Sequence, residues 1–433
     1  MTTQATAIEE RFRQLHPRSA SMAEEAYALF PNGVTHDARR LAPFPIYMDR
    51  GKGPRKWDVD GNEYIDYRVG HGSMILGQAN PAIVRAVQAQ VEKGTHLGAS
   101  SELEVKWGQL VRRLVPSVEK MRFHSSGTEA NMMAFKMVRA FTRKSKIVKF
   151  RNSFHGWSDY AYALDPEQHR RFGIPEAISE TMVVVPDHDL DTLDRALADD
   201  DDIAAVVYMG NDISPPEFIR GMREVTERRG VLLIFDEVVS GFRWSRAGCQ
   251  GRIGVRPDLS TFAKILAGGL PGGCVAGRGE IVDTIGQGGI AHPGTFNANP
   301  LSAAAGVAAL SIIEKEPILE TAEAMAGRLR QGINETLRRL EIPGGAFGVA
   351  SSVSASLGIP VDTSYEYATP DPSTGRPVSA AARVQLRLAL ANEGVWGDPG
   401  AAHLSATHTA EDIDATVEKY EAALREVRKT GAI

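Results

Sequence analysis

V-L-L-I-F-D-E-V-V-S-G-F-R at residues 231–243, followed by T-F-A-K-I-L-A-G-G at 261–269, is the stretch on which the reading of this chain turns. Its first half is a short apolar, β-favouring run that ends on the carboxylate of Asp236. Such a run, bounded by polar residues, reads as a fully buried strand of a parallel sheet. Ligands of parallel α/β sheets lie beyond the carboxyl ends of the strands, so Asp236 stands where a ligand would. The second half sets Lys264 among Phe262, Ile265 and Leu266. Burying an ammonium is costly. A lysine so placed gives up its proton readily and becomes the amine nucleophile that a Schiff base requires. A carboxylate and an amine directed at one pocket suit pyridoxal 5′-phosphate, the first keeping a pyridine nitrogen protonated and the second holding an aldehyde. Alone, the pair fits equally a strand-end carboxylate capping a turn and a lysine that buries its stem and keeps its head in water.

Upstream, M-R-F-H-S-S-G-T-E-A at 121–130 reads as a strand that enters a Ser-Gly-Thr turn and continues as a helix. Free backbone N–H groups at such a helix start bind phosphate, with the hydroxyls of Ser126 and Thr128 as further donors around Gly127. The same pattern also serves as a plain N-cap. A strand at 146–150 ends in R-N-S-F-H-G, where Phe154 and His155 are candidates to contact a flat cofactor ring. They fit a core aromatic and a hydrogen-bonded histidine as well. Another buried strand spans 203–208, and a helix follows from Pro216 to Arg229. Strands alternating with helices at this spacing predict an α/β fold with a mainly parallel sheet.

At the amino-terminal end, helical periodicity covers residues 8–29, broken near Pro17, and D-V-D-G-N-E-Y around Asp60-Gly61 signals a hairpin. Arg39 and Arg40 lie in an irregular segment and could grip a carboxylate. Past Lys264, the loop A-H-P-G-T-F-N-A-N-P at 291–300 holds Thr295. Helices and short strands fill the remainder, with a proline-rich excursion at 365–377 and a capped helix at 410–429. This reading divides the chain into a large domain at 69–312 and a smaller α+β domain built from both termini, residues 1–68 and 313–433.

Net charge is −5, without long runs of one sign, which argues against nucleic acid or an anionic membrane as partner. No apolar run is long enough to span a bilayer, and M-T-T-Q-A-T-A-I-E-E at residues 1–10 lacks the basic start and apolar core expected of a signal peptide. Cys249 and Cys274 lack metal-ligand spacing and form no disulfide framework, so no metal is expected and the expected location is cytoplasmic.

Taken in order, P-N-G-V with Arg39, W-D-V-D-G-N-E-Y-I-D-Y, M-I-L-G, S-S-G-T-E-A, F-H-G, F-D-E-V-V-S-G-F-R, P-D-L-S-T-F-A-K-I-L-A-G-G-L-P-G-G, G-T-F-N-A-N-P and A-T-H-T-A-E-D-I-D resemble the class III pyridoxal-phosphate aminotransferases of fold type I. Within them the chain is most similar to the glutamate-1-semialdehyde 2,1-aminomutase branch. The resemblance covers nearly the whole chain and includes the separation of Asp236 from Lys264. It implies that Lys264 carries the cofactor, Asp236 pairs with its ring nitrogen, and Val238 and Phe154 flank the ring. It also implies that Ser126, Gly127 and Thr128 hold the phosphate with help from Thr295 across a homodimer. Arg39 falls at the branch's carboxylate-binding arginine. Departures lie at Met209-Gly210, where the family usually has Glu-Pro, at Phe154, where it usually has tyrosine, and along Trp157 to Gln168. The expected activity is therefore amino transfer from an amino acid or amine to a keto acid. The aminomutase reaction stands as the alternative, as does racemisation or decarboxylation on the same scaffold.

Overall fold

L-L-I-F-D folds as a strand with every residue buried, Asp236 included. It lies at the centre of the sheet that dominates the larger part of the protein. The computed structural model describes residues 6–162, 173–286, 289–397 and 402–433; the last part of the segment Trp157 to Gln168 lies outside them. The chain divides into two units. One comprises Met1–His71, Ile75–Asn80 and Glu320–Ile433; the other comprises Gly72–Met74 and Pro81–Leu319.

Strands among the described residues, in chain order, are β1 (Met48–Lys52), β2 (Arg55–Asp58), β3 (Glu63–Asp66), β4 (Lys120–His124), β5 (Lys146–Phe150), β6 (Met182–Val185), β7 (Ile203–Met209), β8 (Leu232–Asp236), β9 (Leu259–Ala263), β10 (Gly273–Gly277), β11 (Gly344–Phe347), β12 (Ser352–Leu357), β13 (Val395–Trp396) and β14 (Ala402–His403). Strands β4 to β10 form one seven-stranded sheet in the order β4-β10-β9-β8-β7-β5-β6. Neighbours β5 to β9 pair in parallel, whereas β10 runs antiparallel to both β9 and β4. The strands β8 and β9 are buried along their whole length, and β7 and β8 read as apolar runs up to Met209 and Asp236, because both faces of the sheet are covered. On one face the helix Gly127–Thr142 lays Ala134, Phe135, Met137 and Val138 against Ala205, Val207, Ile234, Leu259 and Val275. Each large side chain buried there contributes about 1.5–3 kcal/mol. The four-residue edge strand β6 and the helix Leu190–Asp199 are additions to the elements legible in the sequence.

Register determines what the carboxyl edge of this sheet presents. Met209 on β7 lies opposite Asp236 on β8, and Asp236 lies opposite Thr261 on β9. Met209, Asp236 and Thr261 thus stand in one row across three adjacent strands; β9 runs two residues further, to Ala263, and Lys264 follows it directly.

In the other unit, β2 and β3 form the hairpin about Asp60-Gly61, inside the sheet order β1-β2-β3-β13; β11, β12 and β14 form a second sheet. Its core joins Ile8 and Phe12 from one end of the chain to Leu386, Leu390, Ile413 and Val427 from the other. The helices Ala7–Leu15 and Pro17–Leu29 meet at His16, and the proline at the first position of the second helix accounts for the break. No helix of the described residues is long and apolar enough to cross a membrane.

At the amino edge of the seven-stranded sheet, Asp258 is 6% exposed and accepts from Leu233 N at 2.8 Å, Arg223 Nη1 at 2.8 Å and Arg278 Nη1 at 2.7 Å. Burial alone would raise its proton affinity, but the hydrogen bonds from the two arginines and Leu233 outweigh that and hold the carboxyl below its ordinary range. A depressed pKa adds stability that is complete above the unfolded-state value, about 3.9, and is lost as the pH falls through the folded value. Asp258→Asn is expected to cost about 2–4 kcal/mol at neutral pH. Thermal melts of both proteins between pH 7 and pH 3 should show the difference shrinking only below about pH 4.

Candidate active site

Five strand ends converge on one group of side chains. From β4 the chain passes through Ser125 and Ser126 into the helix Gly127–Thr142, whose N-cap is Ser126. The Ser126 hydroxyl accepts from Glu129 N at 3.2 Å, and the Glu129 carboxylate accepts from Ser125 N at 2.7 Å. Capping therefore occupies the serine hydroxyl, while the N–H groups of Gly127 and Thr128 are among the first-turn donors that no intrahelical carbonyl can reach. The positive end of the helix dipole lies at the same point.

Glycines allow the neighbouring segments to close on this turn. A Cβ added at Gly127 would lie 2.8 Å from Val238 Cγ2 and 3.3 Å from Ala263 Cβ, so the helix start packs directly on the residue before Lys264. A Cβ at Gly156, which has a φ of +99°, would lie 2.7 Å from Thr128 Oγ1. His155, one residue earlier, places Nδ1 at 2.8 Å from Asp236 Oδ2. Asp236 Oδ1 accepts from Val238 N at 3.0 Å. Thr128, Gly156, His155, Asp236, Val238, Gly127 and Ala263 thus form a closed ring of contacts beside Lys264.

Asp236 is 3% exposed, and an ionised carboxylate at that depth must be met by donors. Besides Val238 N and His155, Asn131 Nδ2 reaches Oδ2 at 2.8 Å. Asn131 is in turn anchored through its Oδ1, which accepts from Thr261 Oγ1 at 2.7 Å. The next residue, Glu237, is fully buried and accepts from Cys249 N at 2.8 Å, Gln250 N at 2.9 Å and the Ser240 hydroxyl. Burial pushes its pKa up against these bonds, and they pin the turn that carries Asp236 and Val238.

Lys264 has a φ of +51°, a left-handed conformation unfavourable for a residue with a Cβ. Strain of this kind, of order 1–3 kcal/mol, collects at functional sites. No hydrogen bond or ion pair to its Nζ is made by any described residue. Burial pushes its ammonium below the usual lysine range; the charge of Asp236 opposes the shift and that of Arg243 adds to it. Lys264 is thus an amine biased toward its neutral, nucleophilic form.

Phe154 is 61% exposed, which sets it apart from a core aromatic, and its N–H points at Met209 Sδ at 3.5 Å. His155, by contrast, is buried and engaged with Asp236. Among the described residues no hydrogen bond joins Thr295 to Asp236, Lys264 or the Ser126 turn; its carbonyl accepts from His96 Nε2 at 2.6 Å. Arg39 belongs to the other unit, where it donates to Thr35 Oγ1 at 2.9 Å and lines a pocket of about 450 Å³ with Arg68, Lys56, His71 and Trp396. Asn131, Thr261 and Glu237 escaped the sequence reading. A signal for Asn131 was present, since it is a polar residue on the buried face of a helix otherwise lined by Ala130, Ala134 and Met137.

The side chains gathered here suit a flat anionic molecule that carries an aldehyde and a basic ring nitrogen. The glycine-lined turn leaves backbone donors for the anion, Phe154 leaves an uncovered ring face, and Lys264 leaves a free amine. The aminotransferase class-III family model matches residues 37–349. The glutamate-1-semialdehyde 2,1-aminomutase of Methanothrix thermoacetophila is 36% identical over 94% of this chain and 96% of its own. An omega-transaminase from Sphaerobacter thermophilus is 31% identical with a TM-score of 0.85, covering 95% of this chain and 98% of that one. A transaminase solved with PLP bound is 27% identical with a TM-score of 0.86, covering 96% and 99%. By its family match and its likeness to these enzymes, this chain belongs to the class-III aminotransferases.

Proposed function

We propose that this enzyme uses pyridoxal 5′-phosphate to shift an amino group within one small carboxylate-bearing substrate, the reaction named by glutamate-1-semialdehyde 2,1-aminomutase. The observation that carries this reading is the 36% identity to the Methanothrix thermoacetophila aminomutase along almost the full length of both chains. It displaces transfer to a separate keto acid, the activity first expected from the altered residues at Met209 and Phe154.

The residues fit the cofactor. When bound, it supplies an aldehyde for the substrate amine and a protonated ring that accepts the electron pair left at Cα. Lys264 holds that aldehyde between turnovers and, once released, carries the proton away from Cα and returns it. Asp236 retains the proton on the ring nitrogen, for which its three hydrogen bonds fix it as an ionised acceptor. Gly127 and Thr128 take the phosphate at the helix start through backbone N–H groups. Phe154 and Val238 flank the ring, and Thr295 acts across a homodimer on the phosphate at the facing copy's site. Arg39 grips the substrate carboxylate in bidentate fashion.

A second reading, transfer to an external keto acid, draws on Met209. This neutral thioether stands level with Asp236 at the end of β7, where the family usually carries glutamate. The likeness to the Sphaerobacter thermophilus omega-transaminase favours the same reading.

Purified holoenzyme supplied with glutamate-1-semialdehyde and no keto acid should form 5-aminolevulinate. Strict dependence on added pyruvate or 2-oxoglutarate would instead establish the second reading. Arg39→Lys should raise KM for the carboxylate substrate roughly tenfold or more with kcat little changed, which steady-state kinetics will show.

Lys264→Ala is expected to lower turnover by a factor of order 10³ or more. Borohydride treatment should add the mass of the reduced cofactor to the wild type and leave the variant unlabelled. Since burial disfavours the ammonium of Lys264, capture of the cofactor aldehyde by the apoprotein should persist to a lower pH than labelling of exposed lysines. Quenching the capture with borohydride across a pH series measures both.

A further inference from the structure

We propose that Asn131, clamped by Thr261, is a positioning residue that decides which oxygen of Asp236 serves the cofactor's ring nitrogen. This rests on the cofactor assignment above and concerns residues to which that assignment gives no part. The two carboxylate oxygens of Asp236 are unequally used. Oδ2 receives Asn131 Nδ2 at 2.8 Å and lies 2.8 Å from His155 Nδ1, which together occupy the two acceptor directions of one carboxylate oxygen. Among the described residues Oδ1 receives only Val238 N, at 3.0 Å, and keeps one acceptor direction open. Oδ1 is therefore the oxygen that would accept from the cofactor's ring nitrogen.

Amide polarity in Asn131 is not left to chance. Its Oδ1 accepts the Thr261 hydroxyl at 2.7 Å, so its Nδ2 is the end turned toward Asp236 and, at 3.1 Å, toward the His155 carbonyl. Thr261 is itself fixed in register, directly opposite Asp236 on the neighbouring strand. Asn131 and Thr261 are both almost wholly buried, so no solvent substitutes for a lost member.

His155 extends the argument. Its Nδ1 is bound to Asp236, and among the described residues its Nε2 is buried without a hydrogen-bond partner, so its one hydrogen bond directs the ring at the carboxylate. Asn131 adds a second donor to the same oxygen without adding a charge of its own.

The test uses three variants of the full-length protein, stripped of cofactor and titrated with pyridoxal 5′-phosphate by fluorescence quenching, with kcat and KM measured on the reloaded enzymes. Thr261→Val keeps the shape and removes the hydroxyl, Thr261→Ser restores it, and Asn131→Asp places a second carboxyl group against Asp236. Thr261→Val is expected to weaken cofactor affinity and lower kcat by roughly ten- to a hundredfold with KM little changed, the size of one hydrogen bond to a charged group. Thr261→Ser should recover most of both, and Asn131→Asp should lose more than Thr261→Val. Unchanged cofactor affinity and kcat in Thr261→Val and Asn131→Asp would overturn the proposal while leaving the cofactor assignment intact. So would a loss in Thr261→Val that Thr261→Ser fails to rescue, because that outcome marks a packing role. A wild-type protein that binds no pyridoxal 5′-phosphate would overturn the cofactor assignment itself and this proposal with it.

Discussion

A carboxylate that is 3% exposed at the end of a buried strand is the constraint to which this unit answers. Left unmatched, the charge of Asp236 would cost several kcal/mol or be lost to a proton. The fold supplies a donor from each direction in which a neighbour approaches: Val238 from the turn ahead, His155 from the segment after β5, and Asn131 from the helix that caps the sheet. Each donor is held by something else, whether Thr261 on β9 or the buried Glu237 in the turn. The register of β7, β8 and β9 makes this possible, because it sets Met209, Asp236 and Thr261 side by side on three adjacent strands.

The electrostatics of the site follow from that carboxylate. Asp236 is the charge that opposes the depression of Lys264's proton affinity, while burial and Arg243 enforce it. On the proposed reading, one side chain would serve two ends of a bound cofactor, directly at the ring nitrogen and through space at the amine. The strained backbone of Lys264 is tolerated because Phe262, Ile265 and Leu266 on either side are fully buried and fix the chain.

Much of this was legible in the sequence for identifiable reasons. Asp236 and Lys264 broke an apolar pattern, and a break in a strong pattern is the most readable feature a sequence offers. The Ser126 turn was legible as a strand-to-helix passage with either backbone donors for an anion or a plain N-cap; the serine hydroxyl caps Glu129 N, and the sequence could not choose between the two. Phe154 looked equally like a core residue until its exposure was known. Asn131 breaks the apolar face of its helix, but its partners, like the role of Thr261, depend on packing that helix across a strand that lies far along the chain, which no local periodicity encodes. The edge strand β6 is too short to stand out, and the direction of β10 depends on a glycine-rich turn whose outcome composition does not determine.

The two rims of the seven-stranded sheet bear charge for opposite ends. At the amino rim, the charge of Asp258 is met by the guanidinium groups of Arg223 and Arg278 and by a backbone N–H, all internal to the fold. At the carboxyl rim, Asp236 retains an unused acceptor direction and Lys264 a free amine. A protein engineer is thereby given two separable handles. Substitutions around Asp258 adjust how much heat the scaffold withstands without altering the reacting groups, and substitutions around Met209 and Phe154 retune selectivity on a scaffold whose robustness is set elsewhere.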